Sequence, residues 1–485
     1  MRSSLRELST HAGVPAPALE VDSRSPVLTQ NQALTESEQS ATTVRVQPAT
    51  LVSPATRKLQ RRAHEVIPGG AHTYAKGDDQ YPETAPPFIA RGLGSHVWDL
   101  DGNEFIEYGM GLRSVALGHA FPAVVDAVRR ELENGTNFTR PSPREVECAE
   151  TFLSCVSTAE MVKFAKNGSD ATTAALKLAR AYTGRDMIAI CADHPFFSTD
   201  DWFIGTTGIP AGIPHAIRDL TVRFRFNDAM SLEALFQANP GRIACVMLEA
   251  ETATAPSPGF LGDVRSLCDK YGALMVLDEM ITGFRWDVGG AQRVHGVVPD
   301  LSTFGKAIAN GFALAALAGR RDVMERGGLK HSSERVFLLS TTHGAETHSL
   351  AAGIAAMRVY RDEPVVETLY RRGERLRAGA EQVIRGHGVQ EHLQVLGRPC
   401  NLVFATRGPD GSPSQGFRAV FMQELIRGGV LAPSFVVSYA HSDSDIDRTI
   451  DAVGQAAGIY ARALADGWEK YLLGSPVKPV YRQFN

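Results

Sequence analysis

With 485 residues the chain can bury a large core and should divide into two or more domains. A hydrophobic share of 44%, a charged share of 21% and a net charge of −4 with both signs interspersed exclude the basic footprint of a nucleic-acid binder. No apolar run reaches membrane-spanning length and the N-terminus has no apolar core for a secretory signal, so no membrane partner and a cytoplasmic location are expected. The six cysteines (Cys148, Cys155, Cys191, Cys245, Cys268, Cys400) form neither a CxxC pair nor a disulfide framework and read as reduced core thiols. No His/Cys cluster has metal-ligand spacing, so no metal is expected.

Residues 1–50 are rich in Ser, Thr, Ala, Gln and Pro without periodicity and read as a mobile N-terminal extension. From Pro54, TRKLQRRAHEVI has helical spacing and stops at Pro68-Gly69-Gly70. Val97, Trp98 and Leu100, the turn Asp101-Gly102-Asn103, then Phe105, Ile106 and Tyr108 predict a hairpin. An amphipathic helix follows over 123–133. From about Glu160 short apolar runs (MVKFA, MIAICA, IACVMLEA, ALMVLDE, ALAALAG) alternate with helical segments, including 170–182. That order predicts an α/β fold with a mainly parallel sheet and right-handed crossovers. After Thr342 come helices near 349–360 and 366–386 and strands around 401–406, expected to form a smaller domain with the N-terminal part. The expected division is 1–50 extension, 51–118 and 346–485 the two parts of a small domain, and 119–345 the large domain.

The stretch from Gly272 to Gly311 carries the chemistry. Ala273-Leu274-Met275-Val276-Leu277 reads as a buried parallel strand that delivers Asp278 and Glu279, and a second short run delivers Lys306 between Gly305 and Ala307. Polar groups at the carboxyl ends of such strands face the crevice where open α/β sheets bind ligands. A lysine in a poorly hydrated pocket sheds its charge and becomes a nucleophile for aldehydes. A buried carboxylate can hold a pyridine nitrogen protonated, which is how pyridoxal phosphate becomes an electron sink. The plainer alternative is a surface lysine and a helix-cap aspartate.

LDEMITGFR and TFGKAIANG resemble the paired cofactor motifs of class III (ω-type) aminotransferases, in particular the glutamate-1-semialdehyde 2,1-aminomutase branch, over about Ile67 to Asp447. The resemblance implies a fold-type I large domain with a mainly parallel seven-stranded sheet that binds pyridoxal 5'-phosphate, plus a smaller α/β domain. It makes Lys306 the Schiff-base lysine and Asp278 the partner of the ring nitrogen. It puts the cofactor phosphate at Gly168 and Ser169, where Asn-Gly-Ser alone is an ordinary N-cap turn. Phe196 aligns as the stacking ring. Phe197 stands where the family has His, which leaves open which ring stacks, or whether both are core. Glu249 corresponds to the glutamate of the family's Glu-Pro, with Glu251 expected to be solvated, and Met280 stands for the usual Val on the second ring face. Thr342 matches a threonine that reaches the cofactor phosphate of the neighbouring subunit, implying a homodimer with interfacial sites; by itself its Ser/Thr cluster only suggests a loop.

Two residues bear on substrate. Lys76 falls where the aminomutase branch has a carboxylate-gripping Arg, and a lysine offers a point charge instead of a fork. Arg113, in a loop that lines the family's site, is a candidate to take over, the alternative being an exposed or structural arginine. The chain also lacks the longer acidic loop that follows the position of Ser434 in that branch, and the acids Asp200 and Asp201 are unlike it. The expected function is a pyridoxal-phosphate-dependent transaminase that moves an amino group from a small-molecule donor to a keto or aldehyde acceptor. Its mechanism is ping-pong through a Lys306 aldimine, in a biosynthetic pathway. The alternatives are an intramolecular 2,1-aminomutase acting on glutamate-1-semialdehyde and a non-catalytic fold relative.

Overall fold

The computed structural model describes residues 52–484, so the segment expected to be a mobile extension lies outside the described residues. Among the described residues thirteen short strands occur in chain order. β1 (Ile89–Leu93), β2 (His96–Asp99) and β3 (Glu104–Glu107) come first. Then come β4 (Met161–Ala165), β5 (Met187–Cys191), β6 (Thr221–Phe224), β7 (Ile243–Leu248), β8 (Leu274–Asp278), β9 (Leu301–Phe304) and β10 (Ala315–Gly319), and finally β11 (Leu393–Leu396), β12 (Val403–Thr406) and β13 (Val430–Leu431).

β4 to β10 make a seven-stranded sheet in the order β4-β10-β9-β8-β7-β5-β6. The pairs from β9 through β6 are all parallel. β10 runs antiparallel to both β9 and β4, the exception in a sheet that is otherwise parallel as expected. The reason is chain length. Only 305–314 separate β9 from β10, too few for a crossover helix, so the chain folds back on itself. Central strands β7, β8 and β9 are buried at every position because helices cover both faces. Ile188, Met247, Val276 and Leu317 point to the face covered by helix Gly168–Thr183, whereas Val246, Leu277, Phe304 and Ala316 face the opposite core.

In that opposite core Phe152, from helix Pro143–Cys155, packs edge-on against Phe304 at 5.1 Å and lies 6.4 Å from both Phe164 and Phe284. Phe152→Ala empties the centre of this cluster. The expected loss is about 3–5 kcal/mol of unfolding free energy, measured by urea denaturation, and a loss below about 1 kcal/mol would show that the site collapses or that Phe152 is not its centre.

The smaller sheet draws on both ends of the chain. The predicted hairpin forms with Val97 opposite Phe105, and β13 joins β3 in parallel, giving the order β1-β2-β3-β13. A buried polar knot fastens the hairpin to helix Asp443–Asp466, whose capping box uses Ser442 and Asp445. Asp445 accepts from Ser95 Oγ at 2.9 Å and lies 3.0 Å from His96 Nε2, while His96 Nδ1 meets Glu104 at 2.7 Å. Burial would lift the Asp445 carboxyl, but bonds from His96, the Ser442 N–H and Ser95 outweigh it and hold the group below the usual range. The Asp445 bond raises His96 against the opposing pull of burial. The carboxylate contributes stability above its unfolded pKa of about 3.9, and that part is lost as pH falls through the lower folded value. The imidazolium contributes fully below about 6.5, and its part is lost as pH rises through the raised value. His96→Asn should therefore cost most in melting temperature between about pH 4 and 6.5; a penalty that stays constant from pH 4 to 9 would break this account.

Candidate active site

Parallel neighbours β8 and β9 end together, with Asp278 opposite Thr303. Asp278 is 2% exposed. Its Oδ1 accepts the Met280 N–H at 2.9 Å and the Thr303 hydroxyl at 3.2 Å, which leaves Oδ2 for another partner. Burial pushes its pKa up to about 6, with Lys306 pulling the other way. Lys306 opens the short 3₁₀ turn Lys306–Ala309 with φ +45°, a left-handed conformation that a side chain adopts at a cost. Burial lowers the pKa of its amine, opposed by Asp278 and Glu249 and reinforced by Arg113 and Arg285. The lysine and the acid thus share one electrostatic neighbourhood.

Met280 lies between Asn167-Gly168-Ser169 and the lysine turn. A Cβ on Gly168 would stand 3.0 Å from the Met280 sulfur and one on Gly305 2.6 Å from it, so a side chain at either position would displace this flexible thioether. Asn167 caps the 16-residue helix Gly168–Thr183 by accepting from the Asp170 N–H at 3.0 Å. Gly168 and Ser169 stand at that helix's N-terminus, where main-chain N–H groups and the helix dipole favour an anion. Ser169 Oγ accepts from Thr199 N at 2.9 Å and lies 3.1 Å from Thr199 Oγ1.

The two phenylalanines separate clearly. Phe197 is 2% exposed and packs in the core edge-on to Phe203 at 5.7 Å, whereas Phe196 is 44% exposed. His194, two residues before Phe196, was not predicted to matter. It is 4% exposed, its Nδ1 accepts the Glu249 N–H at 3.0 Å, and its Nε2 has no partner among the described residues. Burial drops its pKa to about 4, so the ring is neutral with its proton on Nε2.

The acids divide between the cavity and the framework. Glu249 is buried and its carboxyl is raised by burial and by Asp278. Glu251 is not solvated as expected: it is 4% exposed and takes a bidentate contact from Arg398 (2.8 and 2.6 Å) and a bond from His295 at 2.8 Å. The strand end tucks this carboxylate under the 398–401 turn, where the Arg398 guanidinium compensates its charge. Glu279 turns away from Asp278 and accepts from the Ala291 and Gln292 N–H groups at 2.8 and 2.7 Å. Asp200 accepts from the Thr173 hydroxyl, which in turn takes the Trp202 Nε1–H at 2.8 Å, so this acid braces its own loop.

Arg113 lies at the end of the turn Met110–Arg113 and donates from Nε to Asn401 Oδ1 at 2.9 Å. Burial lowers its pKa to about 10, Arg285 adds to this, and Glu249 opposes it. Lys76 sits exposed on the 3₁₀ turn Tyr74–Lys76, and no contact of the described residues brings it to Lys306. Thr342 is exposed and its carbonyl accepts from Asn137 Nδ2 at 3.0 Å. The same loop is tied to the phosphate-side strand by Lys166, which pairs with Glu346 at 2.7 Å and donates to Ser349 at 2.9 Å. The structure therefore gathers Lys306, Asp278, Glu249, Met280 and Gly168, brings Arg113 into the electrostatic neighbourhood of Lys306 and Glu249, and leaves Lys76 and Thr342 on the surface of this chain.

Sheet order, strand-end lysine and acid, and the glycine-lined cradle together define a fold-type I pyridoxal-phosphate-dependent enzyme. The chain belongs to the class-III aminotransferase family, whose model matches residues 77–405. It is 33% identical over 412 residues to a glutamate-1-semialdehyde 2,1-aminomutase of Desulfitobacterium hafniense, covering 80% of this chain and 95% of that one. Among solved structures it resembles the FumI protein of Sphingopyxis sp. MTA144, in its PLP internal aldimine form, with TM-score 0.77 and 30% identity over 85% of this chain and 97% of that one. It also resembles an omega-transaminase from Sphaerobacter thermophilus, with TM-score 0.76 and 30% identity over 84% and 98%. No helix of the described residues is long and apolar enough to cross a membrane.

Proposed function

We propose that this protein is an aminotransferase that takes an amino group from a small-molecule donor and gives it to a keto or aldehyde acceptor at the site around Lys306. The observation that carries this reading is the shared neighbourhood of Lys306 and Asp278 at the ends of β9 and β8, with Met280 fitted between Gly168 and Gly305. Pyridoxal phosphate supplies a reactive aldehyde and an electron-withdrawing ring when bound. Lys306, whose amine burial holds toward its neutral form, would hold the cofactor through its aldehyde and would carry the proton to and from the substrate carbon that bears the amine. Asp278 Oδ2 is the oxygen left to face the ring nitrogen, since Oδ1 is held by Met280 and Thr303. The start of helix Gly168–Thr183 takes the phosphate, and Phe196 and Met280 take the two ring faces, with Phe197 in the core. Glu249 and its histidine neighbour line the strand end beside the lysine.

An amine that leaves one substrate before the second arrives gives parallel initial-rate lines. We infer a homodimer, since Thr342 is exposed on this chain and the apolar rings of Phe138 and Phe337 are uncovered at 51% and 72%. Six buried, unpaired cysteines support a cytoplasmic location. Borohydride reduction followed by peptide mapping tests the reading: the label belongs on Lys306, and a label elsewhere, or none, overturns it. The similarity to curated aminomutases keeps one other outcome in view. Incubation with glutamate-1-semialdehyde and no second substrate would show internal amine migration if that reaction were the true one.

A further inference from the structure

We propose that Thr199 is a positioning residue for the cofactor's phosphate: it occupies the acceptor side of Ser169 Oγ, so that the Ser169 proton is the one left for the phosphate. This rests on the pyridoxal-phosphate reading above and adds a residue from outside the Asn167-Gly168-Ser169 motif.

A serine hydroxyl has one proton to give and two lone pairs to fill. Ser169 Oγ takes the Thr199 N–H at 2.9 Å and the Thr199 hydroxyl at 3.1 Å, so one residue engages both lone pairs. Ser169 is 9% exposed, and its own proton meets no acceptor among the described residues. It stands in the first turn of helix Gly168–Thr183, beside the main-chain N–H groups that receive an anion. A hydroxyl with a free rotor is ordered only when the anion arrives. One whose oxygen is already held is aimed beforehand, and binding no longer bears the cost of ordering it.

Thr199 itself is exposed, and its place is set by the same helix. Ser169, Thr172 and Thr173 lie at i, i+3 and i+4, one face of hydroxyls turned to the segment 197–202. The fully buried Thr172 hydroxyl donates to the Phe197 carbonyl at 3.0 Å. Thr173 Oγ1 donates to the Asp200 carboxylate and takes the Trp202 Nε1–H at 2.8 Å. Between these anchors Ser198 Oγ accepts the Asp200 N–H at 3.1 Å. Thr199 is therefore pinned from both sides. The same clamp holds the residue after Phe196, so it serves the contacts proposed for both the ring and the phosphate.

The test is equilibrium dialysis of the full chain, freed of cofactor, against pyridoxamine 5'-phosphate and against pyridoxamine. Neither carries an aldehyde for Lys306, so the ratio of the two affinities reads the grip on phosphate alone. Thr199→Ala and Thr199→Val should each cut that ratio about 5- to 10-fold, with the affinity for pyridoxamine changed less than about 2-fold. Thr199→Ser should restore the ratio to within about 2-fold, because the hydroxyl returns. In a Ser169→Ala background Thr199→Ala should cost less than about 2-fold more, since its effect passes through Ser169. An unchanged ratio in Thr199→Ala overturns the proposal. So does an equal loss for both ligands, the mark of a merely structural role, or an undiminished effect of Thr199→Ala without the Ser169 hydroxyl. A phosphate preference that survives Thr199→Ala sinks this inference alone. No phosphate preference in the unaltered chain overturns it together with the phosphate assignment, and the borohydride label on Lys306 decides the enzyme reading separately.

Discussion

Lys306→Ala will abolish turnover, by at least about 10⁴-fold in kcat, and will leave nothing for borohydride to fix at the position. The size follows from two losses at one atom. A positioned proton-transfer group accounts for about 10²–10⁴, and the covalent hold on the aldehyde is a separate contribution. The fold should survive, because the lysine's left-handed φ of +45° suits no other side chain better and its turn is closed by main-chain bonds such as Ile308 N to the Gly305 carbonyl. A folded variant that retains more than about one-hundredth of the activity would mean that another group moves the proton.

Asp278→Asn has the second-largest expected effect, a fall of about 10²–10³-fold in kcat, the range for losing one preorganised electrostatic partner. Its diagnostic feature is the dissociation of rate from stability. Asparagine keeps an oxygen for the Met280 N–H and the Thr303 hydroxyl, and it removes a carboxyl that burial has already pushed up to about 6. Melting temperature should hold or rise while the rate collapses. A parallel loss of both would recast Asp278 as a framework residue, and a rate loss below about 3-fold would remove it from the mechanism.

The fold was legible where burial is two-sided. Runs such as IACVML and LMVLD advertise central strands because neither face meets water. β6 went unread, since TVRF at the sheet edge leaves Arg223 exposed and interrupts the apolar run. Also missed was the 24-residue helix Asp443–Asp466, whose buried face is built largely from small residues such as Ala452, Ala456, Ala457 and Ala463. At the site, Lys306 and Asp278 were readable because a charge at the end of a buried strand is a local signal. Asn401 and Arg285 were not. Their partners lie far along the chain, 288 positions in the case of Asn401 and Arg113, and no short window of sequence records that meeting. Glu251 was misjudged for the same reason, its hydrogen-bond partners His295 and Arg398 being 44 and 147 positions away.

All six cysteines are unpaired and buried, and those with the highest thiol pKa values owe them to desolvation. None offers a thiolate to an external reagent while the native packing holds. The chain thus contains an internal clock for its own opening. Cys245 sits in β7 at the centre of the large sheet, Cys148 in the helix that carries Phe152, and Cys400 in the turn beside Arg113. The order in which alkylation reaches these three sulfurs reports which layer yields first, and whether the wall that holds the arginine loosens before the sheet that holds the lysine.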